Sequence, residues 1–263
     1  MILSRRVKLN DVQLDQLGEE YGFPIVIQRV DPGTPKENIT AVDLMAGVGQ
    51  RVTGSHFQTI DVQVTYGINI PKDNMTARRA VFDLVNAWAV NGGWLMISEI
   101  PDRRVYIDKV ILPSAKELWE WTADFTITFR AYAVPFWQEA KPTQATRTGA
   151  SQGTLQLQVN GNTDTVYNVK WTNISGASIN SLRIYETGGS SISLINFPPI
   201  GGSASIDITH TSKGLISVKS GSTDLYSYMT GDDDLFIKPG LHTIGFVCPR
   251  AGRIELSAYG RYL

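Results

Sequence analysis

The strongest chemical signal in this 263-residue sequence is a pair of acids among indole rings, Glu117 and Glu120 beside Trp119 and Trp121. A carboxylate pair next to aromatic platforms is how glycosidases protonate a leaving group while stacking holds the sugar ring. The surrounding alternation opposes that use. From 119 to 131, Trp119, Trp121, Ala123, Phe125, Ile127, Phe129 and Ala131 alternate with Glu120, Thr122, Asp124, Thr126, Thr128 and Arg130. On a strand, period two puts Glu120 on the face opposite both tryptophans, and only a bulge would reunite them. Trp119 and Trp121 are therefore read as core or subunit-interface rings, a setting that enriches large amphipathic side chains.

The remaining candidates are weaker. His56, His210 and His242 lie far apart, without a His or Cys at metal-ligand spacing, so no zinc site is expected. Asp232, Asp233 and Asp234 concentrate charge, but adjacent carboxylates cannot all turn to one ion, and a solvated loop is expected. Gly47-Val48-Gly49 lacks the third glycine of a dinucleotide fingerprint, and Gly201-Gly202-Ser203-Ala204-Ser205 lacks the closing glycine of a nucleophile elbow. No catalytic residue and no cofactor are expected. In the second half, Trp171, Tyr185, Tyr226 and Tyr228 are candidate sugar-stacking residues, weighed against the burial that sandwiches routinely give such rings.

Composition narrows the partners. Lys and Arg total 24 against 25 Asp and Glu, a formal charge of -1, so nothing suggests the basic face that nucleic acid or an anionic membrane demands. The single Cys248 has no partner for an intramolecular disulfide and sits in an apolar alternation, as a buried thiol does. It fits synthesis in a cytoplasm. No stretch approaches about 18 consecutive apolar residues, and MILSRRVKLN offers only a short apolar run before its charges, so neither a membrane span nor a secretory signal is expected.

The elements that must hold these residues are mostly strands. Ile60, Val62, Val64, Tyr66, Ile68 and Ile70 alternate with polar residues or glycine, and together with 119–131 this favours antiparallel sheet. Further strands are expected at 94–98 and 104–112. Between them Val81, Phe82, Val85, Trp88 and Ala89 form a helical stripe, so 75–91 is read as the one helix, capped by Asn74 or Thr76 and stopped at Asn91-Gly92-Gly93. Residues 31–57 show no sustained period and are read as a contact arm that orders against a neighbour. Within it, Met45 and Phe57 join Trp119 and Trp121 as candidate subunit-interface residues.

A polar run, KPTQATRTGASQGT, follows Phe136-Trp137 and reads as a linker. The expected division is 1–137, a linker at 138–153, and a second domain at 154–263. Nine short strands separated by turns such as Gly188-Gly189, Gly201-Gly202 and Ala251-Gly252 make that second domain a sandwich or jelly roll. Its last strand is expected to run over 253–263.

In order along the chain, the opening strand at 2–8, the strand ending Tyr66-Gly67-Ile68-Asn69-Ile70, the helix, Asp102-Arg103-Arg104-Val105-Tyr106, and Phe125-Thr126-Ile127-Thr128-Phe129 before Pro135-Phe136-Trp137 resemble the distal tail proteins of long-tailed bacteriophages. Leu235-Phe236-Ile237-Lys238-Pro239-Gly240 and the terminal Gly260-Arg261-Tyr262-Leu263 are similar to that family's second domain. The resemblance implies a mainly β protein: an N-terminal sheet-and-helix belt domain that assembles into a hexameric ring, and a C-terminal galectin-like β-sandwich. It further implies a non-enzymatic hub at the distal end of the virion tail, contacting the tail-tube protein on one side and the tail tip, tail-associated lysin or baseplate on the other. A carbohydrate-binding second domain that recognises host polysaccharide is the alternative.

Overall fold

Alternating apolar residues need a partner strand on each side and a cover on one face, and both needs are met in the computed structural model, which describes residues 5–43, 50–70, 74–114, 124–232 and 235–263. Two units emerge, Met1–Trp137 and Gln138–Tyr262. The first carries β1 (Val7–Leu9), β2 (Val12–Gln13), β3 (Ile25–Asp31), β4 (Glu37–Asp43), β5 (Gln50–Phe57), β6 (Ile60–Ile68), α1 (Met75–Ala89), β7 (Gly93–Ile97), β8 (Arg103–Ile107), β9 (Lys109–Ile111) and β10 (Asp124–Ala131), and β11 (Trp137–Glu139) begins at its end.

The alternation at 60–68 becomes the middle of a sheet ordered β3-β6-β10-β9. Its register sets Phe125 opposite Tyr66, Ile127 opposite Val64 and Phe129 opposite Val62, all buried. The intervening residues face the other way: Thr126 meets Thr65 through their hydroxyls at 3.1 Å, and Arg130 pairs with Asp61 at 3.0 Å. Helix α1 lies on the apolar side, with Phe82 5.2 Å from Phe125 and Trp88 6.1 Å from Phe129 between ring centroids. Asn74 caps it by accepting from the Ala77 N–H at 3.1 Å, and Gly92 and Gly93 take positive φ just beyond its end. The second sheet runs β2-β1-β7-β8, burying Val7, Leu9, Leu95, Ile97, Val105 and Ile107.

The expected single strand at 104–112 is two. β8 belongs to one sheet and β9 to the other, and the chain changes sheet at Asp108. That residue's carboxylate accepts from the backbone N–H groups of Tyr132 and Ala133 at 2.8 and 3.0 Å, while its own N–H donates to Arg130 O at 2.9 Å. One stretch of chain therefore serves two sheets because an acid in its middle pins the crossing.

The second unit contains β12 (Thr143–Val159), β13 (Thr165–Asn173), β14 (Ile179–Glu186), β15 (Ser191–Ile200), β16 (Ser205–His210), β17 (Ile216–Ser220), β18 (Thr223–Asp224), β19 (Met229–Gly231), β20 (Phe236–Ile237), β21 (Gly240–Ala258) and β22 (Arg261–Tyr262). It is a β-sandwich made by curling one sheet. The C-terminal half of β21 pairs with β13, its N-terminal half pairs with β14, and β12 follows β21 along both halves. Curvature brings the ends of β12 together, since the Thr143 hydroxyl donates to Gln158 O at 2.6 Å. Bulges near Ala150 and positive φ at Gly149 and Gly153 make the corner.

Three expectations are corrected here. Residues 143–153 are not a linker; they form the first part of β12, paired to 246–258, and they were unreadable because backbone pairing rather than side-chain burial holds them. Ala251-Gly252 is not a turn. β21 continues through it, because a glycine is required where the indole of Trp171 lies against the strand, leaving no room for a Cβ. The terminal strand stops at Ala258 and resumes as β22.

Gly252→Ala should force the Trp171 ring from its rotamer and lower the stability of the second unit by about 1–3 kcal/mol. Urea unfolding followed by indole fluorescence measures this, and an unchanged midpoint would contradict the packing described.

Candidate assembly surface

The arm expected at 31–57 is a β-hairpin. β4 and β5 pair antiparallel, Glu37 with Phe57 through Asp43 with Gln50, in a two-stranded sheet of their own. Pro32, Gly33 and Pro35 turn the chain out of β3, and Gly33, at φ +63°, sits so close to Asp61 O that a side chain would strike the backbone. The exit is mirrored at the return, where Lys36 N–H donates to Thr59 O at 3.2 Å and Gln58 N–H to Lys36 O at 2.8 Å. Seven registered pairs at roughly 3.3 Å per residue make the ribbon about 20 Å long.

The described side chains of the ribbon stand largely in solvent. Every side chain from Glu37 to Ala41 is exposed, including Ile39 at 58%, and Gly54 and His56 are exposed on the facing strand. Two strands alone are marginally stable in water. Each strand also has a single partner strand among the described residues, which leaves two backbone edges of the kind that recruit further strands. The sequence missed the hairpin because no face is apolar, so no alternation marks it. The β-branched residues Ile39, Thr40 and Val42 were the available signal.

Of the four candidate interface residues, Met45, Trp119 and Trp121 lie outside the described residues, as do Glu117, Glu120, Asp233 and Asp234. Phe57 is half-buried at the base of the ribbon, its ring edge-on to Phe136 at 5.2 Å. The sugar-stacking candidates do not form one platform. Trp171 is wholly buried against Phe246 at 5.5 Å and is removed from that role, because the strand it occupies turns this position into the sandwich. Tyr185 lies across Gly245 with the Arg183 guanidinium 5.4 Å from its centroid, Tyr228 packs on the core, and Tyr226 is exposed at 46%.

The second unit does present a polar cleft of about 370 Å³ across β12, β13, β16 and β21. Its central row, read from the register, is Asp207, Lys170, Glu255 and Thr146, with Asn168, Ser257 and Gln144 beside it. No aromatic ring lines it. Among the described residues no cluster of three His, Cys, Asp or Glu side chains is placed to hold a metal. At one end of β16, His210 is half-buried. Its backbone N–H donates to Asn168 Oδ1 at 2.8 Å and its Nδ1 lies 3.2 Å from the same oxygen, which keeps the proton of the neutral ring on Nδ1. Burial first, and the Arg261 guanidinium second, push this imidazole down to about 4.

No family model matches the sequence, and no curated protein matches it. Solved structures do match the fold. The Dit protein (gp 19.1) of SPP1, described as a paradigm of the hub adsorption apparatus in phages infecting Gram-positive bacteria, superposes with a TM-score of 0.66 at 10% identity, covering 98% of this chain and 99% of that one. Chains of the phage p2 baseplate in its activated conformation match with TM-scores of 0.54 (with Sr, 9% identity, 97% of each chain) and 0.53 (with Ca, 9% identity, 97% of this chain and 98% of that one). Both units, in this order, therefore share the fold of phage hub and baseplate proteins.

Because His210 is held neutral, the unfolded chain takes up a proton near the ordinary 6.5 while the folded chain resists until about 4. This group's contribution is complete above pH 6.5 and is lost as pH falls from there towards 4. The unfolding free energy of the wild type, from denaturant titrations, should fall across that window by about 2 kcal/mol at most. His210→Gln should flatten that part of the profile, and a parallel decline in both proteins would remove His210 as the cause.

Proposed function

We propose that this protein is a non-enzymatic structural hub at the distal end of a bacteriophage tail, closing by self-association into a ring of six that joins the tail tube to the tail tip or baseplate. The observation that carries this reading is the match of both units, over almost the whole chain, to the fold of a phage hub protein. Partners on this reading are further copies of the chain, the tail-tube protein and the tail-tip, lysin or baseplate proteins. The uncovered β4–β5 ribbon supports self-association. A ring needs a heterologous contact, one patch on each copy meeting a different patch on the next, and an exposed ribbon about 20 Å long can supply one half of such a contact. Docking on a neighbour would also relieve the marginal stability of two strands standing alone.

A second reading is favoured by the polar cleft of the sandwich. Amide, hydroxyl, ammonium and carboxylate groups brought together by strand register are the hydrogen-bonding partners that a host polysaccharide requires, and such binding is compatible with a hub. The absence of a stacking ring from the lining makes weak, ring-amplified binding the expected form. Retention of the full chain on host-wall polysaccharide, lost in Lys170→Ala and Asp207→Ala, supports this reading; equal retention of both variants sinks it.

Light scattering and negative-stain imaging test the hub. Wild-type protein should give closed rings, alone or beside tail-tube protein. Replacing Glu37–Phe57 with an Asn-Gly turn, which the neighbouring Lys36 and Gln58 can accept as a two-residue hairpin, should leave a folded monomer. A wild type that stays monomeric under all these conditions overturns the ring, and a shortened variant that still closes rings removes the arm from its interface.

A further inference from the structure

We propose that the polar cleft of the sandwich is a binding site for the acetamido group of an uncharged, N-acetylated amino-sugar polymer. The proposal rests on the polysaccharide reading of that cleft and names the class of sugar it would take. Three side chains carry it, Asn168, Lys170 and Asp207, all on outward positions of β13 and β16 and all in the lining of the cleft.

Asn168 presents a donor. Its Oδ1 accepts from the His210 backbone N–H at 2.8 Å, and because that N–H can only donate, the amide cannot turn its nitrogen to this side. The imidazole Nδ1, 3.2 Å from the same oxygen, adds a second tie. Nδ2 is thereby left for the cleft, open to solvent and without a partner among the described residues. Asp207 presents an acceptor. Ser205 Oγ donates to its Oδ2 at 3.0 Å, which orients the carboxylate and leaves Oδ1 without a partner among the described residues. Lys170 lies directly opposite Asp207 in the register, yet its ammonium forms no ion pair among the described residues, so its donors are also available. Groups oriented before a ligand arrives lower the ordering cost of binding.

The spacing suits a secondary amide. Extending the pairing of Lys170 with Asp207 by two residues sets Asn168 opposite Thr209, which makes Asn168 and Asp207 diagonal neighbours about 7–8 Å apart. A trans amide points its C=O and N–H in opposite directions. Bonds of about 1.2 and 1.3 Å plus two hydrogen bonds of about 2.9 Å put its donor and acceptor partners about 7–8 Å apart as well. Asn168 Nδ2 can thus donate to the acetamido carbonyl while Asp207 accepts from the acetamido N–H, and Lys170, beside both, donates to a sugar hydroxyl. At about 370 Å³ the cleft exceeds the roughly 300 Å³ at which small-molecule sites begin, in keeping with a sugar residue and its acyl group.

Charge decides against an acidic polymer. Asp207 and Glu255 are the acids of the lining and Lys170 is its one cation, while Arg253, outside the lining, occupies Glu255 at 2.6 Å. What remains is one acid and one cation, and a phosphate or uronate would meet Asp207 as readily as Lys170. With no ring to stack on, selection falls to the amide contacts. A site that hydrogen-bonds an N–H rejects the analogue lacking it more sharply than a pocket that measures size.

Saturation-transfer NMR titrations of the full chain test this with chitotriose, the N-acetylglucosamine trimer, with cellotriose, which has a hydroxyl in place of each acetamido group, and with polyglycerol phosphate. Chitotriose should bind at millimolar affinity with its methyl groups saturated most strongly, and cellotriose at least about fivefold more weakly. Asn168→Asp keeps the acceptor for the His210 N–H but turns a second oxygen to the cleft, and it should weaken chitotriose at least about fivefold. Asp207→Ala should do the same, and it keeps the test decisive if the first variant does not fold. Equal affinity for chitotriose and cellotriose, tighter binding of polyglycerol phosphate or of acetyl-trialanine amide, or chitotriose affinity unchanged in both variants overturns the proposal. Retention on host-wall polysaccharide that depends on Lys170 and Asp207, with no chitotriose binding at about 10 mM, overturns this proposal alone. Absence of both removes the polysaccharide reading with it.

Discussion

One constraint governs the molecule: an antiparallel sheet with an apolar face is stable only when something covers that face. In the first unit Phe125 is where the cover is fastened. Its ring contacts Tyr66 across the register at 5.5 Å, Phe82 of α1 at 5.2 Å, and the buried Arg78, whose guanidinium lies 5.7 Å from its centroid. A buried cation over a ring face is tolerable because the ring quadrupole offsets part of its lost hydration. In the second unit the sandwich covers itself, with Trp171 packed between Phe246 and the glycine that β21 supplies at 252. Each unit thus reaches closure around one large ring, by different means.

Closure explains which parts of the fold were legible in the sequence. Strands that bury one face declare themselves by period two, and β6, β10, β13 and β16 fall where alternation puts them. Helix α1 declared itself by period 3.6, and its cap at Asn74 is where a cap was expected. What stayed hidden is held by other forces. The first part of β12 is held by its ladder to β21, so its Thr, Gln and Ala side chains look like a linker. The passage between sheets at Asp108 depends on a carboxylate bonded to backbone N–H groups 24 and 25 residues away, which no local window contains. Trp171 looked equally suited to a core or a sugar platform, and only the three-dimensional position of Gly252 decides between them.

The candidate surfaces were less legible than the fold for the same reason. Every side chain from Glu37 to Ala41 is exposed, so that part of the ribbon β4–β5 carries no apolar alternation for the sequence to show. The cleft row of Asp207, Lys170, Glu255 and Thr146 was readable as strand residues but not as a surface, because the pairing of β13 with β16 and of β21 with β13 and β12 creates the adjacency. Interfaces that rely on register cannot be read before the register is known.

This also accounts for a fold shared at 10% identity while no family model matches the sequence. Covering a sheet requires apolar residues at alternate positions and a glycine or acid at a few crossings, and many residues satisfy each apolar position if volume and pattern are preserved. The constraint is therefore on type and spacing, and it leaves identity free to drift. Surfaces that meet partners are constrained differently, since each must match a surface that is drifting too. The unpaired edges of the ribbon escape part of that pressure, because backbone N–H and C=O groups are the same whatever the side chains become. Contacts made through backbone edges can therefore persist while the side chains of such a ribbon change.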